Sequence, residues 1–186
     1  MYIKQLVLTN FRGFEGSTIL NFPKKLIVLI GINGAGKSSV LDALSILLNQ
    51  FIYHTSTIQH NTKFEFSDIN KNSRSAGLEI KINTNQDITF SRGSGFGFAS
   101  LNVKELKKYG DNFQNTIDEQ TSIPIILYYA VNQIDKKKKS HATVLPKFNI
   151  YKNVLGKSKD LQDFVDWFKE QTNLENQYKI EQRHFN

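Results

Sequence analysis

The chain has 186 residues, 24 basic and 17 acidic, a net charge of +7 and no cysteine. Without cysteine there is no disulfide framework and no thiolate metal site, so a reducing compartment suits it. Met1-Tyr-Ile-Lys-Gln5 is no signal peptide and no apolar run approaches the ~18 residues of a membrane span, so a cytoplasmic chain without membrane contact is expected.

Such a length fits one domain or one lobe of a larger one, and 39% hydrophobic residues, with 14 Phe and 7 Tyr, supply a core. Excess positive charge favours polyanions, although +7 spread over a surface is ordinary.

Tyr2 to Phe11 carries apolar residues at 3, 6 and 8 and predicts a strand. Arg12-Gly-Phe-Glu-Gly16 reads as a turn. Ser17-Thr-Ile-Leu-Asn-Phe22 reads as a second strand, closed by Pro23-Lys-Lys25. Leu26 to Ile30 is an aliphatic run of the kind found in strands buried on both faces. It feeds Gly31-Ile-Asn-Gly-Ala-Gly-Lys-Ser-Ser39, in which Gly31-x-x-x-x-Gly36-Lys37-Ser38 matches the phosphate-binding loop pattern.

Each residue type there answers a physical need. Gly31, Gly34 and Gly36 let the backbone take positive φ and approach a phosphate closely. The amides from Asn33 through Gly34, Ala35 and Gly36 to Ser38 can then form an anion nest at the positive end of the following helix. Lys37 supplies a point charge for β- and γ-phosphates. The Ser38 hydroxyl is a hard-oxygen ligand for Mg²⁺, and Ser39 can donate to the α-phosphate. Val40, Leu41, Ala43, Leu44, Leu47, Leu48 and Phe51 give the helix a broad apolar face.

Leu8-Thr-Asn-Phe-Arg-Gly-Phe14, a hairpin and then Gly-Ile-Asn-Gly-Ala-Gly-Lys-Ser-Ser resemble the amino-terminal start of ABC-type ATPase heads of the SMC and RecF kind. The fold class this implies is α/β: a P-loop NTPase, the amino-terminal lobe of an ABC/SMC-type head, with a mixed sheet, antiparallel hairpins and flanking helices. In that family the arginine of the Asn-Phe-Arg motif lies near the nucleotide. The resemblance therefore makes Arg12 a candidate phosphate or base contact, against the plainer reading of a solvated turn arginine. ATP and Mg²⁺ are the implied cofactors. The implied partners are a C-terminal lobe of the same ATPase, a second head in a head-to-head homodimer of the full-length protein, and DNA or a nuclease.

Past the helix, 52–72 is polar and aromatic without period. His54 and His60 read as ordinary loop histidines, and Ser67 to Ser73 as a connecting turn. Gly77-Leu-Glu-Ile-Lys-Ile-Asn83 alternates as a half-buried strand, and Asp87-Ile-Thr-Phe-Ser91 returns as its hairpin partner. Arg92-Gly-Ser-Gly-Phe-Gly-Phe-Ala99 is expected to be a mobile loop. Leu101 to Tyr109 and Asp111 to Glu119 are expected to be two short helices.

Ile123 to Val131 is a second buried-strand candidate, ending in Asn132-Gln133. A neutral amide at a strand's carboxyl end can accept from a Mg²⁺-bound water and donate to the attacking water. A glutamine in the equivalent loop has that role in ABC ATPases, so Gln133 is the candidate catalytic and metal-site residue. Pro124 to Gln133, with Asp163-Phe-Val-Asp-Trp-Phe-Lys-Glu170 and Asn173-Leu-Glu-Asn176, is similar to a narrower group, the PtuA ATPases of Septu and the retron-associated phage-defence ATPases. That group commonly carries arginine at the Gln133 position, which leaves both readings of Gln133 open. Asp135-Lys-Lys-Lys-Lys-Ser140 reads as a solvated loop or, alternatively, as a phosphate-backbone contact.

Ser158 opens a helix whose Leu161, Phe164, Val165 and Phe168 share a face. The expected division is an amino-terminal lobe over 1–157 and a helical segment over 158–186, leading toward an arm and C-terminal lobe. No aliphatic strand ending in Asp-Glu and no Leu-Ser-Gly-Gly signature occurs in the chain. Phosphoryl transfer also needs a group that activates water. Two readings follow: an ATP/Mg²⁺-binding lobe incomplete for hydrolysis, whose full-length parent is the ATPase, or a non-catalytic nucleotide-binding scaffold. A small kinase or GTPase is disfavoured, because no Asn-Lys-x-Asp is present and the loop follows a hairpin.

Overall fold

Alternation of aliphatic and polar residues in 77–83 and 87–91, with Leu6 and Leu8 two apart in the first segment, favours one antiparallel sheet with a buried face. The computed structural model describes residues 1–23, 26–56, 64–95, 102–118, 121, 123–126, 128, 169 and 172–173. The chain divides into two compact units, Met1–Ile125 and Ile126–Asn186, and every strand and helix named below lies in the first.

Strands β1 (Tyr2–Thr9), β2 (Ser17–Asn21), β3 (Ser75–Asn83) and β4 (Asp87–Gly95) form a sheet in the order β2-β1-β3-β4, every pair antiparallel. Leu6 stands opposite Ile80 and Leu8 opposite Leu78, while Ile80 faces Phe90 and Ile82 faces Ile88. Directly opposed residues project to the same side of a sheet, so these seven share one face, and all are buried. A one-residue slip would turn the whole set toward water, which fixes the register.

Helix α1 (Lys37–Thr55) packs on β3, and α2 (Lys104–Thr116) packs on α1 and β4. Phe51, Tyr109 and Phe113 stack in sequence across the helix pair, with centroids 6.1 and 5.9 Å apart. Gln114 Nε2 donates to the carbonyls of His54 and Ser56, 3.2 and 3.4 Å away, which supplies partners to the otherwise unbonded end of α1. The outer edge of β4 is also closed: Thr89 N donates to Glu105 Oε2 (2.8 Å) and Ser91 N to the Asn102 carbonyl (3.0 Å).

Five expectations need correction. Leu26 to Ile30 is no strand, and it is not buried: Leu26, Val28, Ile30 and Ile32 are 75%, 67%, 90% and 83% exposed. Among the described residues no strand pairs with it, and it stands outside the four-stranded sheet. Likewise Ile123–Ile126, the described start of the second aliphatic run, belongs to no strand, and Ile125 is exposed; apart from Tyr128, the rest of that run lies outside the described residues.

Arg92 to Gly95, expected to be loop, continues β4: Arg92 pairs with Leu78 and Gly95 with Ser75. Gly95 has φ +107°, and a Cβ there would run into the Arg74 carbonyl, so only glycine lets the ladder reach this far. The two short helices are one helix continuous through Gly110, where the absent side chain admits the His54 carbonyl. On α1 the expected Val40, Ala43, Leu47 and Phe51 are buried, but the buried surface is wider than that face and takes in Ser45, Asn49, Gln50 and Ile52, while Leu41 is exposed.

Candidate functional site

The turn after β1 and the start of α1 are built against each other. Asn10 closes the turn on Gly16 twice: its amide donates to the Gly16 carbonyl, and the Gly16 amide donates to Asn10 Oδ1, both at 2.8 Å. Asn10 and Arg12 both adopt positive φ, +48° and +50°. Non-glycine residues rarely do so, at a cost of about 1–2 kcal/mol each, so surrounding bonds must hold the turn. They come largely from the segment around the 3₁₀ turn Phe66–Asp68. Arg12 N donates to the Asp68 carbonyl (2.8 Å), and Asn70 N donates to the Asn10 carbonyl (2.8 Å). Buried Asn70 also sends Nδ2 to the carbonyls of Arg12 (2.7 Å) and Phe14 (3.4 Å).

Residues 31–36 form the loop that enters α1. Gly34 and Gly36 have φ +84° and +89°, and Gly36 is the N-cap. Ala35 N donates to the Ile32 carbonyl at 3.2 Å. The amides of Asn33, Gly34, Gly36, Lys37, Ser38 and Ser39 have no protein acceptor among the described residues. Six amide donors thus gather at the amino end of a 19-residue helix, where the helix dipole adds positive potential. Lys37 Nζ donates to the carbonyls of Gly31 (2.6 Å) and Ile32 (2.7 Å), which folds the side chain back across the loop. Gly31 to Ala35 and Ser38 are exposed.

Arg12 is held from two sides. Its Nε donates to Asp68 Oδ1 at 2.9 Å, and its Nη1 donates to Asp42 Oδ2 on α1. Burial works against the guanidinium's charge, but the bonds to Asp42 and Asp68 outweigh it, and the Arg12 pKa is raised above its ordinary value. Its cation also lies over the Phe11 ring, 5.1 Å from the centroid. Asp68 is 1% exposed and its second oxygen accepts the Glu65 amide at 3.0 Å, so this buried carboxylate is fully engaged.

The structure therefore brings Arg12 to the first turns of the loop's helix, through Asp42, and gathers Asn33 to Ser39 into one exposed turn. Gln133, the candidate catalytic and metal-site residue, lies outside the described residues, as do His60 and the 135–140 charge run. His54 sits near the end of α1, away from the loop in sequence and bonded through its carbonyl to α2. Among the described residues no group of three or more His, Asp or Glu could hold a metal, and no helix is long and apolar enough to cross a membrane. Sequence reading did not single out Asp42, Asp68 or Asn70. The signal available was the position of Asp42, one helical turn after Ser38, and nothing in the spacing of 12 and 68 announced their pairing.

Comparison with known proteins fits this arrangement. Residues 1–185 match the AAA ATPase domain family. The retron Vc95 probable ATPase of Vibrio cholerae serotype O1 biovar El Tor is 26% identical over 202 aligned positions, covering 95% of this chain and 38% of that protein. The retron Ec83 probable ATPase of Escherichia coli is 28% identical over 193, covering 94% of this chain and 35% of that protein. The chain thus spans a little over a third of the length of these relatives. Among solved structures, the SMC head domain from Thermotoga maritima aligns over 60% of this chain and 42% of its own, at 22% identity and a TM-score of 0.39. With the family match running through essentially its whole length and the retron ATPases similar along almost all of it, the chain belongs to the AAA ATPase domain family.

Proposed function

We propose that this chain is the ATP- and Mg²⁺-binding lobe of an SMC/RecF-like ATPase. The observation that carries the reading is the loop itself: six uncommitted amides on residues 33–39, two left-handed glycines and Lys37, all at the start of one helix. A triphosphate is the ligand class that uses such a set, because it needs several donors and a cation at once. Lys37 would leave its two carbonyl partners for β- and γ-oxygens. Ser38, exposed in the first turn, has the hard-oxygen donor that Mg²⁺ prefers, so the residues present fit the ion. When bound, Mg²⁺ supplies charge neutralisation at those phosphates. Arg12 adds a second cation within reach of the helix start.

In this reading the chain binds nucleotide and turns it over little or not at all, since its sequence has no aliphatic strand ending in Asp-Glu to activate water. The exposed row of Leu26, Val28, Ile30 and Ile32 supports a place for a further lobe of the same ATPase against this segment. A longer protein of this kind would close two heads on ATP and act on DNA or a nuclease partner. Anti-phage defence is the setting proposed, on the kinship with retron ATPases.

Calorimetric titration of ATP–Mg²⁺ into the chain and its Lys37→Ala variant tests the site. Binding by the parent and none by the variant is expected; equal affinities would reject the loop as the nucleotide site.

A further inference from the structure

Arg12 has five N–H donors in a rigid fork, and three of its corners have different fates. The Nε corner is taken by Asp68 Oδ1 at 2.9 Å, and the Nη1 corner meets Asp42 Oδ2. Nη2 has no acceptor among the described residues. The two acids differ in what they are attached to. Asp68 belongs to the 3₁₀ turn that also holds the Arg12 amide through its carbonyl, at 2.8 Å. Asp42 belongs to α1, one turn beyond Ser38 and on the same side of the helix. Phe14, two residues past Arg12, touches the loop directly at Gly36. The guanidinium is therefore fixed in position relative to both the hairpin turn and the phosphate loop, with one corner left over.

Such an arrangement is poor electrostatics for a triphosphate unless it serves orientation. Two carboxylates beside one guanidinium leave a net charge of −1, which opposes an anion. An unpartnered arginine at this place would attract phosphate more strongly, but it would have to be ordered from many rotamers each time. We propose that Asp42 and Asp68 are positioning residues for Arg12: they hold its Nε and Nη1 corners so that the Nη2 corner is the one presented to a nucleotide phosphate. The inference rests on the nucleotide reading above and adds two acids that act on the ligand through Arg12.

The sign of the mutational effect separates this role from simple charge. If Asp42 acted only as a nearby negative charge, Asp42→Asn would tighten ATP binding. A positioning role has Asp42→Asn and Asp68→Asn weaken ATP–Mg²⁺ binding by ~3-fold or more, and Arg12→Gln weaken it by about 10-fold, the range of charge-assisted hydrogen bonds. Arg12→Lys, which keeps the charge but lacks the fork, should not restore affinity. In the double variant Arg12→Gln/Asp42→Asn the loss should equal that of Arg12→Gln alone, because the acid has nothing left to orient.

Calorimetry on the 186-residue chain and these variants, each checked for an intact thermal transition, reads all of this. Lys37→Ala serves as the control for the nucleotide site. Nitrogen-15 NMR of arginine side chains gives a readout without ligand: a slowly exchanging Arg12 Nε–H should be present in the parent and lost in Asp68→Asn. Binding by the parent that is lost in Lys37→Ala but unchanged or tightened in Asp42→Asn overturns the inference and leaves the nucleotide reading standing. So do multiplicative losses in the double variant, or an Nε–H that exchanges freely in the parent. No binding by the parent overturns the nucleotide reading and this inference with it.

Discussion

Phe14 occupies the space that a side chain at Gly36 would need. A Cβ built on Gly36 falls 2.8 Å from Phe14 Cζ and 3.0 Å from Cε2, closer than real carbon contacts come. The loop and the hairpin turn are thus fitted to one another across 22 residues of sequence, with an aromatic ring as the contact.

Gly36→Ala should therefore cost twice: about 1–2 kcal/mol for placing an alanine at φ +89°, and more for displacing the ring. Phe14→Leu in the same chain should return the second part and leave the first. Thermal denaturation of the single and double variants measures both. Equal melting temperatures for Gly36→Ala with and without Phe14→Leu would show that the ring contact carries no weight.

Gly110→Ala drives a methyl group into the His54 carbonyl and should separate α1 from α2. The loss expected is about 1–3 kcal/mol, and it should include the Gln114 bonds that close the end of α1. Hydrogen exchange at the last turn of α1 should rise with it. An unshifted denaturation midpoint would contradict the close crossing.

Gln50 is fully buried on α1, and neither its Nε2 nor its Oε1 has a hydrogen-bond partner among the described residues. Burying an unpaired amide costs about 1–3 kcal/mol, whereas an apolar side chain of similar size does not. Gln50→Leu should accordingly raise the melting temperature by a few degrees, at ~2–4 °C per kcal/mol for a chain of this size. A fall of similar size would mean that the amide is paired.

His54 has a pKa lowered from the ordinary 6.5, by burial first and then by Lys107, with Asp111 opposing. Protons bind the unfolded chain more readily than the folded one at this site. Its contribution to stability is therefore complete above pH ~6.5 and declines as pH falls through the depressed folded value. Melting temperatures between pH 8 and 5 should drop less steeply in His54→Gln than in the parent. Parallel curves would remove His54 from the pH response.

The hairpins were legible because their signals are local. Apolar spacing in 2–11 and period-two alternation in 77–83 and 87–91 locate three of the four strands to within a few residues, and the loop's glycines precede a helix, as expected. What escaped was decided by distant groups. Leu26 to Ile30 has the composition of an inner strand, but burial depends on neighbours that an aliphatic run cannot supply for itself. Gly110 reads as a helix break by propensity, and the proximity of the His54 carbonyl makes it the residue that fits. Arg12 was recognisable from its motif. Its two acids, 30 and 56 residues further on, were not, since ion pairs at such separations leave no periodic trace.

The open aliphatic row from Leu26 to Ile32 runs without interruption into the loop that begins at Gly31. On the function proposed above, one short stretch of backbone would answer to two influences, solvent exclusion on its flank and anion capture at its end. A conformational preference imposed on it by a covering surface would then reach the loop, and linkage makes the reciprocal effect on binding of that surface the same size. Affinity measured on the bare chain would then be a baseline, from which an occupied flank moves the binding constant up or down.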